Sequence, residues 1–106
     1  MGDYLNLDPD GLRELQNGAV LLVDVRTDRE IERGLIPGAL HIPLHMLPAR
    51  LQEIAQDCPV VLYCQSGARS AQASRFLADN GWDRVYNLSG GFIGWSARGL
   101  PVAQKP

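Results

Sequence analysis

The sequence predicts an α/β fold, in which helices cover both faces of a parallel sheet. Two short apolar runs rich in β-branched residues, at 19–25 and 59–63, are typical of central strands buried on both sides. Helical segments separate such runs, and this alternation is typical of parallel strands joined by helices. No repeat or linker divides the 106 residues. We therefore expect one domain spanning residues 1–106, with its core at about 5–102 and a loose tail at 103–106.

The individual elements follow from periodicity and from residues that start or stop helices. Asp8 followed by Pro9 is typical of a helix N-terminus. Leu12 and Leu15 then lie on one helix face. In order, we expect a helix from Pro9, a strand at 19–25, a short surface helix at 27–33, a turn at 35–38, a strand at 39–42, an amphipathic helix at 48–56, a strand at 59–63, a helix at 71–80, a strand at 85–88 and a closing helix at 92–97.

The charge and hydropathy of the chain exclude several classes of partner. The net charge is −2 and the isoelectric point is about 5.5, so neither nucleic acid nor an anionic membrane is expected as a main partner. The apolar runs are too short to cross a bilayer, and no segment has the basic start and apolar stretch of a signal peptide. We expect a cytoplasmic protein, and we assume a monomer.

The two cysteines indicate a reducing compartment. Cys58 and Cys64 flank one predicted strand, whose extended length holds them too far apart for a disulfide. Two cysteines and two histidines without the spacing of metal ligands predict no metal site and no cofactor. Cys58 lies before Pro59 at the start of the strand, and we interpret it as structural.

Cys64 is the residue that most strongly indicates chemistry. It ends the apolar run 59–63 and begins the loop Gln65-Ser66-Gly67-Ala68-Arg69-Ser70, which a predicted helix follows. Backbone N–H groups at a helix start point into such a loop and lower the pKa of a thiol there. The alternative is an inert core thiol. Asp24 and Arg26 end the other central strand, so we expect them at the same edge of the sheet as Cys64.

Three groups of motifs resemble those of rhodanese (thiosulfate sulfurtransferase) domains. They are LVDVR (22–26) with GLIPGA (34–39) and IP (42–43), then CQSGARS (64–70), then GG (90–91) with Trp95 and GLPV (99–102). The resemblance covers the chain from about Leu5 to Val102, and it implies a single-domain rhodanese-like fold with a five-stranded parallel sheet. One departure is Leu35, where the family very often has histidine. We expect this change to alter local packing more than chemistry.

The resemblance implies sulfur transfer through a covalent intermediate on Cys64. The thiolate attacks the sulfane sulfur of a donor such as thiosulfate, sulfite leaves, and the persulfide passes its sulfur to cyanide or a thiol acceptor. Convergent N–H groups of the loop stabilise the anionic sulfur. The expected substrate-binding residues are Gln65, Ser66, Gly67, Ala68, Arg69 and Ser70, and Asp24 and Arg26 are expected to brace the loop from behind.

Individual loop residues have more specific expected roles. Gly67 lets the backbone curl around the sulfur, because glycine accepts positive φ. Arg69 is expected to bind the negative oxygens of the donor. Ser70 either caps the next helix or donates a hydrogen bond to the sulfur, and Glu30 either joins the brace, paired with an arginine, or is exposed.

Other side chains are interpreted as structural. His41 and His45 could form a dyad with the cysteine, but a mechanism in which the loop lowers the thiol pKa needs no base. We therefore expect both to be loop or surface histidines. Trp82 is interpreted as a core residue, whereas Trp95 is either core or pocket wall.

The length of the loop distinguishes sulfur transfer from phosphate hydrolysis. Tyrosine phosphatases carry Cys-x5-Arg, whereas this chain carries Cys-x4-Arg, with Ser70 where the phosphatase arginine lies. A tighter ring suits a single sulfur atom better than a tetrahedral oxyanion. Sulfur transfer is therefore favoured over phosphate hydrolysis and over arsenate reduction.

Three functions follow from these observations. The first is an enzyme that moves sulfane sulfur from a small donor, thiosulfate or a persulfide, to a thiophilic acceptor. The second is a carrier that exchanges persulfide sulfur with other sulfur-relay proteins. The third is a binding module in which Cys64 is incidental.

Overall fold

A five-stranded parallel sheet organises the protein, whose computed structural model describes residues 3–105. The strands are β1 (Leu5–Leu7), β2 (Leu21–Asp24), β3 (Leu40–His41), β4 (Val60–Tyr63) and β5 (Val85–Leu88), in the spatial order β1-β5-β4-β2-β3. The helices are α1 (Pro9–Leu15), α2 (Asp28–Ile31), α3 (Ala68–Asp79) and α4 (Gly91–Ala97), with a 3₁₀ segment at Leu44–Glu53. The predicted α/β class and the five parallel strands are confirmed.

Strand β4 lies at the centre of the sheet, and its side chains alternate between two apolar layers. Val60, Leu62 and Cys64 face the layer beneath α3 and the 3₁₀ segment. Val61 and Tyr63 face the second layer, which contains side chains from α1 and α4. Cys64 therefore continues the row of β4 side chains that points towards α3.

The register of the two central strands brings their carboxyl ends together. Asp24 pairs with Tyr63, and the amide of Val25 donates to the carbonyl oxygen of Tyr63 at 3.0 Å. Cys64 directly follows β4 and Arg26 lies two residues after the end of β2, so both are at this edge, as the sequence predicts. Carboxyl ends of parallel strands are where α/β sheets form their sites.

Two predicted helices differ from the observed ones. Helix α3 starts at Ala68 instead of residue 71, so Arg69 and Ser70 belong to its first turn. The expected helix at 48–56 is a 3₁₀ segment that starts earlier, at Leu44, and contains Pro48. The proline ring lacks an N–H and clashes with the preceding turn of an α-helix, so the chain keeps a tighter and less regular coil.

Two other expectations concern the edges of the fold. Strand β1 was not among the expected elements, because three residues are too few to establish a period, and two of them are exposed. The expectation of a loose tail at 103–106 is wrong at Ala103, which exchanges two backbone hydrogen bonds with Leu35, at 2.8 and 2.9 Å. Pro106, the last residue of that tail, lies outside the described residues.

Both tryptophans belong to the core. Trp82 is buried and its indole N–H donates to the carbonyl of Ala55 at 3.0 Å, as expected for a core residue. Trp95 is buried in the layer between the sheet and helices α1 and α4, and it donates to the carbonyl of Pro101 at 2.7 Å. Within residues 3–105, no helix is long and apolar enough to span a bilayer.

Candidate active site

A tight loop joins the end of β4 to the start of α3, and Cys64 is its first residue. Gly67 precedes the helix with φ of 114°, a left-handed conformation that side chains with a Cβ rarely adopt. This turn reverses the chain so that the start of α3 folds back over the end of the strand. The glycine at this position is therefore required by the backbone.

The loop encloses the Cys64 sulfur. The amide of Gly67 donates to Sγ at 3.1 Å, and the Ser70 hydroxyl lies 3.4 Å from it. Cys64 is only 1% exposed, so the sulfur lies inside the loop. The sulfur is therefore buried and has two hydrogen-bond donors directed at it.

Two opposing effects set the pKa of the Cys64 thiol. Burial is the largest single effect and raises the pKa, because it disfavours the charged thiolate. The Ser70 hydroxyl and the backbone amides of Ser70, Gly67 and Ser66 act in the opposite direction, and their sum outweighs burial. The net result is a lowered pKa. The N-terminus of the 12-residue helix α3 favours negative charge at the same point.

The Ser70 hydroxyl has more than one acceptor within reach. Its Oγ lies close to Asn87 Oδ1 and also 3.2 Å from the Gly67 carbonyl oxygen. A hydroxyl has one proton, so donation to Sγ competes with donation to Asn87. A thiolate is a stronger acceptor than a neutral amide, and ionisation of Cys64 therefore turns this proton towards the sulfur.

Asn87 is a site residue that the sequence interpretation missed. It is buried in β5, and its Nδ2 donates to Asn6 Oδ1 at 3.0 Å and to the Gly67 carbonyl at 3.3 Å. These bonds fix the amide so that Oδ1 faces Ser70. The available signal was a polar residue inside an otherwise apolar strand.

Helix α4 holds the beginning of the loop from its other side. The amide of Phe92 donates to the Cys64 carbonyl at 2.9 Å, and the amide of Ile93 donates to the Gln65 carbonyl at 3.1 Å. A Cβ placed on Gly91 would lie 2.5 Å from the Cys64 carbonyl oxygen, so only glycine allows this approach. The glycine pair at 90–91 therefore allows α4 to support the loop.

Asp24 and Arg26 form a buried ion pair under the loop. Their side chains are 0% and 1% exposed, and Nη2 of Arg26 lies 2.8 Å from Oδ2 of Asp24. Arg26 also donates to the Gln65 side chain at 3.0 Å and to the Gly34 carbonyl at 2.8 Å. Its guanidinium lies over the Phe92 ring, 4.2 Å from the centroid. This pair links strand β2 to the loop and to α4.

Arg69, at the start of α3, is bound to Glu30 of α2. Nη1 and Nη2 of Arg69 donate to the two carboxylate oxygens of Glu30 at 2.7 and 2.8 Å. The structure thus pairs Glu30 with an arginine, Arg69, which is one of the two alternatives expected for it. Binding of donor oxygens by Arg69 stays a prediction. Ala68, the neighbouring predicted contact, is exposed in the first helical turn.

A largely apolar cavity of about 480 Å³ lies beside the loop. Arg69 and Thr27 contribute to its wall together with Leu44, Leu47 and Phe76. Its volume lies within the range that is typical of small-molecule sites. Arg69 is thus a member of both the loop and the cavity wall.

The hydrogen bonds to Sγ come from Gly67 and Ser70, and not from the histidines or the second cysteine. His41 Nε2 lies 2.6 Å from the carbonyl oxygen of Arg26, so this ring supports the end of β2. His45 is exposed in the wall of the cavity. Cys58 is a half-buried free thiol.

Replacement of Ser70 by alanine tests the contribution of its hydroxyl to the thiolate. Loss of a hydrogen bond to a charged group should reduce alkylation of Cys64 about tenfold at a pH below its pKa. The alkylation rate of the variant should still increase with pH. The midpoint of this increase should lie at higher pH than in the unmodified protein, because loss of the Ser70 hydroxyl raises the pKa of Cys64. Ser74→Ala is the control, since Ser74 donates to the Ser70 carbonyl and not to the sulfur. An unchanged pH profile in Ser70→Ala would contradict the assignment.

Replacement of Gly91 by alanine tests the support from α4. The added Cβ overlaps the Cys64 carbonyl, so we expect a loss of unfolding free energy about 2 kcal/mol larger than in Gly99→Ala. Gly99 also has a positive φ, but a Cβ there meets open space. Urea denaturation measures stability, and alkylation of Cys64 reports the position of the loop. Equal losses in the two variants, with unchanged alkylation, would show that this contact is unimportant.

Comparison with known proteins agrees with this geometry. The sequence profile of the family described as "Rhodanese-like domain" matches residues 8–98. A protein named "Sulfurtransferase" from Allochromatium vinosum is 54% identical over 83 residues, which are 78% of each chain. Thiosulfate sulfurtransferase GlpE of Stutzerimonas stutzeri is 30% identical over 95 residues, 90% of this chain and 87% of that one. A rhodanese-related protein from Thermoplasma volcanium superimposes with a TM-score of 0.88 at 28% identity, covering 96% of this chain and all of that structure. The chain therefore belongs to the rhodanese-like domain family and is related to its sulfurtransferases.

Proposed function

We propose that this protein transfers sulfane sulfur through a persulfide formed on Cys64. The observation that carries the proposal is the enclosure of Sγ by the Gly67 amide at 3.1 Å and by the amides of Ser66 and Ser70. These donors lower the thiol pKa and so increase the fraction of the nucleophilic thiolate at neutral pH. An inert core thiol needs no such convergence of donors.

In the first step, the Cys64 thiolate attacks the outer sulfur of the donor. A new bond forms between Sγ and that sulfur, and the bond between the outer sulfur and the rest of the donor breaks. Its electron pair leaves with the donor remnant, which is sulfite when the donor is thiosulfate and a thiolate when the donor is a persulfide. The terminal sulfur of the enzyme persulfide carries the negative charge, which the N–H groups of the loop stabilise.

In the second step, an acceptor removes the sulfur. Cyanide or a thiolate attacks the terminal sulfur, and the electrons of the S–S bond return to Cys64. The enzyme thiolate is restored, so the cycle needs neither an oxidant nor a reductant. Two separate half-reactions predict ping-pong kinetics.

The length of the loop supports sulfur transfer over phosphate hydrolysis. Tyrosine phosphatases carry Cys-x5-Arg, whereas this chain has Ser70 at the position of that arginine. The arginine that follows the loop is also occupied, because Arg69 is bound to Glu30. We further propose that the protein works in a reducing compartment, the cytoplasm, in which both free thiols stay reduced.

A protein-to-protein carrier uses the same first step, and the acceptor distinguishes it from an enzyme for small substrates. Steady turnover with a small donor and cyanide supports the enzyme. Slow turnover, together with efficient sulfur exchange with a persulfidated protein, supports the carrier. Both functions require the persulfide.

Intact mass after incubation with a sulfur donor tests the persulfide directly. With thiosulfate or an organic persulfide, the protein should gain the mass of one sulfur atom, and cyanide should remove it. Cys64→Ser should lose this gain, whereas Cys58→Ser, which changes the other free thiol, should keep it. A gain that persists in Cys64→Ser, or no gain with either donor, would refute the proposal. Hydrolysis of an aryl phosphate faster than sulfur transfer would also refute it.

A further inference from the structure

We propose that Glu30 sets donor specificity by keeping Arg69 away from dianionic donors, so that the site favours organic persulfides over thiosulfate. The body of such a donor would lie in the apolar cavity that Arg69 borders. This inference rests on the proposed function and names its substrate class. It assigns to Glu30 a positioning role that acts through Arg69.

The first argument is the state of the cations at the loop. Both terminal nitrogens of Arg69 bind the two oxygens of Glu30, and their side chains are 35% and 28% exposed. Arg26 is committed to Asp24, Gln65 and a backbone carbonyl, and it is almost fully buried. Both arginines are therefore already paired, and the sulfonate group of thiosulfate would have to compete with a carboxylate for either of them.

The second argument is that Glu30 is held in place by its own helix. Thr27 caps α2, and its amide donates to Oε1 of Glu30 at 2.9 Å, while the Glu30 amide donates to the Thr27 hydroxyl at 3.2 Å. The hydrogen bond from Arg69 has the largest effect on the pKa of Glu30 and lowers it. Burial raises this pKa, the bonds from Thr27 lower it, and the net result is a pKa of about 2. The carboxylate thus stays ionised, and the ion pair persists throughout the neutral range.

The third argument is the character of the neighbouring cavity. Its wall contains Leu44, Leu47 and Phe76, and its volume is about 480 Å³. These apolar side chains stabilise an alkyl or aryl group, whereas they do not stabilise a small inorganic dianion. Arg69 belongs both to this wall and to the segment 64–70, so a donor body in the cavity would lie next to the loop.

The charges of the two reactions favour the same choice. Thiosulfate approaches the Cys64 thiolate with two negative charges, and the sulfite that leaves is also a dianion. An organic persulfide carries one negative charge on its terminal sulfur, and the thiolate that leaves carries one. In both cases the S–S bond to Cys64 forms as the donor bond breaks, but the charge brought to the thiolate differs. The electrostatic cost of approach is larger for thiosulfate when both arginines at the loop are already paired.

Glu30→Gln provides the test, because glutamine keeps the capping box and removes the charge. With Arg69 released, the KM for thiosulfate should fall about three- to tenfold, since a cation becomes available for the sulfonate oxygens. The comparison donor is an alkyl persulfide without other charged groups. The ratio of kcat/KM for thiosulfate to that for this persulfide should rise by the same factor.

Glu53→Gln is the matched control. It removes one negative charge and a two-bond contact with Arg50, and neither residue lines the cavity. The ratio of the two donors should not change in this variant. If Glu30 acts through Arg69, adding Arg69→Gln to Glu30→Gln should also abolish the gain with thiosulfate.

The outcomes separate this inference from the proposed function. If Cys64 takes up sulfur from both donors but Glu30→Gln leaves the thiosulfate KM unchanged or raises it, the specificity role of Glu30 is wrong and the sulfurtransferase proposal stands. If neither donor loads Cys64 of the unmodified protein, the proposed function itself fails. A thermal denaturation curve of Glu30→Gln, together with its persulfide turnover, shows that a changed KM reflects donor binding and not unfolding.

Discussion

The site depends on the balance between burial of the Cys64 sulfur and the hydrogen-bond donors that surround it. Burial alone would keep the thiol protonated and unreactive. The donors come mainly from the backbone of one turn, which left-handed Gly67 bends around the sulfur before α3 begins. Because amide N–H groups are neutral and fixed by the helix, they stabilise a thiolate and an anionic persulfide without an added cation. The arginines near the loop are therefore not needed to stabilise the sulfur, and each is paired with a carboxylate, Arg26 with Asp24 and Arg69 with Glu30.

The rest of the fold keeps that turn in position. The amides of Phe92 and Ile93 hold the carbonyls at the start of the loop, and the buried pair of Asp24 and Arg26 holds the Gln65 side chain. The Arg26 guanidinium lies over the rings of Tyr63 and Phe92, so these supports lie with α4 on the side of the sheet opposite to α3. The carboxylate of Asp24 belongs to that opposite layer, where it neutralises a buried arginine. The sheet thus separates the groups that brace the loop from those that stabilise the sulfur.

The sequence predicts the central strands, the edge of the sheet at which the site lies and the identity of the nucleophile, because these depend on local apolar runs and on one short loop. It does not predict β1 (Leu5–Leu7), since these three residues, two of them exposed, become a strand only by pairing with β5. The start of α3 at Ala68 was missed because Gly67 provides no side-chain cap. The ion pair of Glu30 with Arg69 joins residues 39 positions apart, and only the folded register brings them together.

The most direct measurement of the central claim is the titration of the Cys64 thiol. The ultraviolet absorbance of the thiolate can be followed against pH in Cys58→Ser, with the Cys58→Ser, Cys64→Ser double variant subtracted. The loop geometry predicts half-ionisation clearly below the pKa of a free thiol, about 8.5. Half-ionisation at or above that value would mean that burial outweighs the donors, and it would contradict the account.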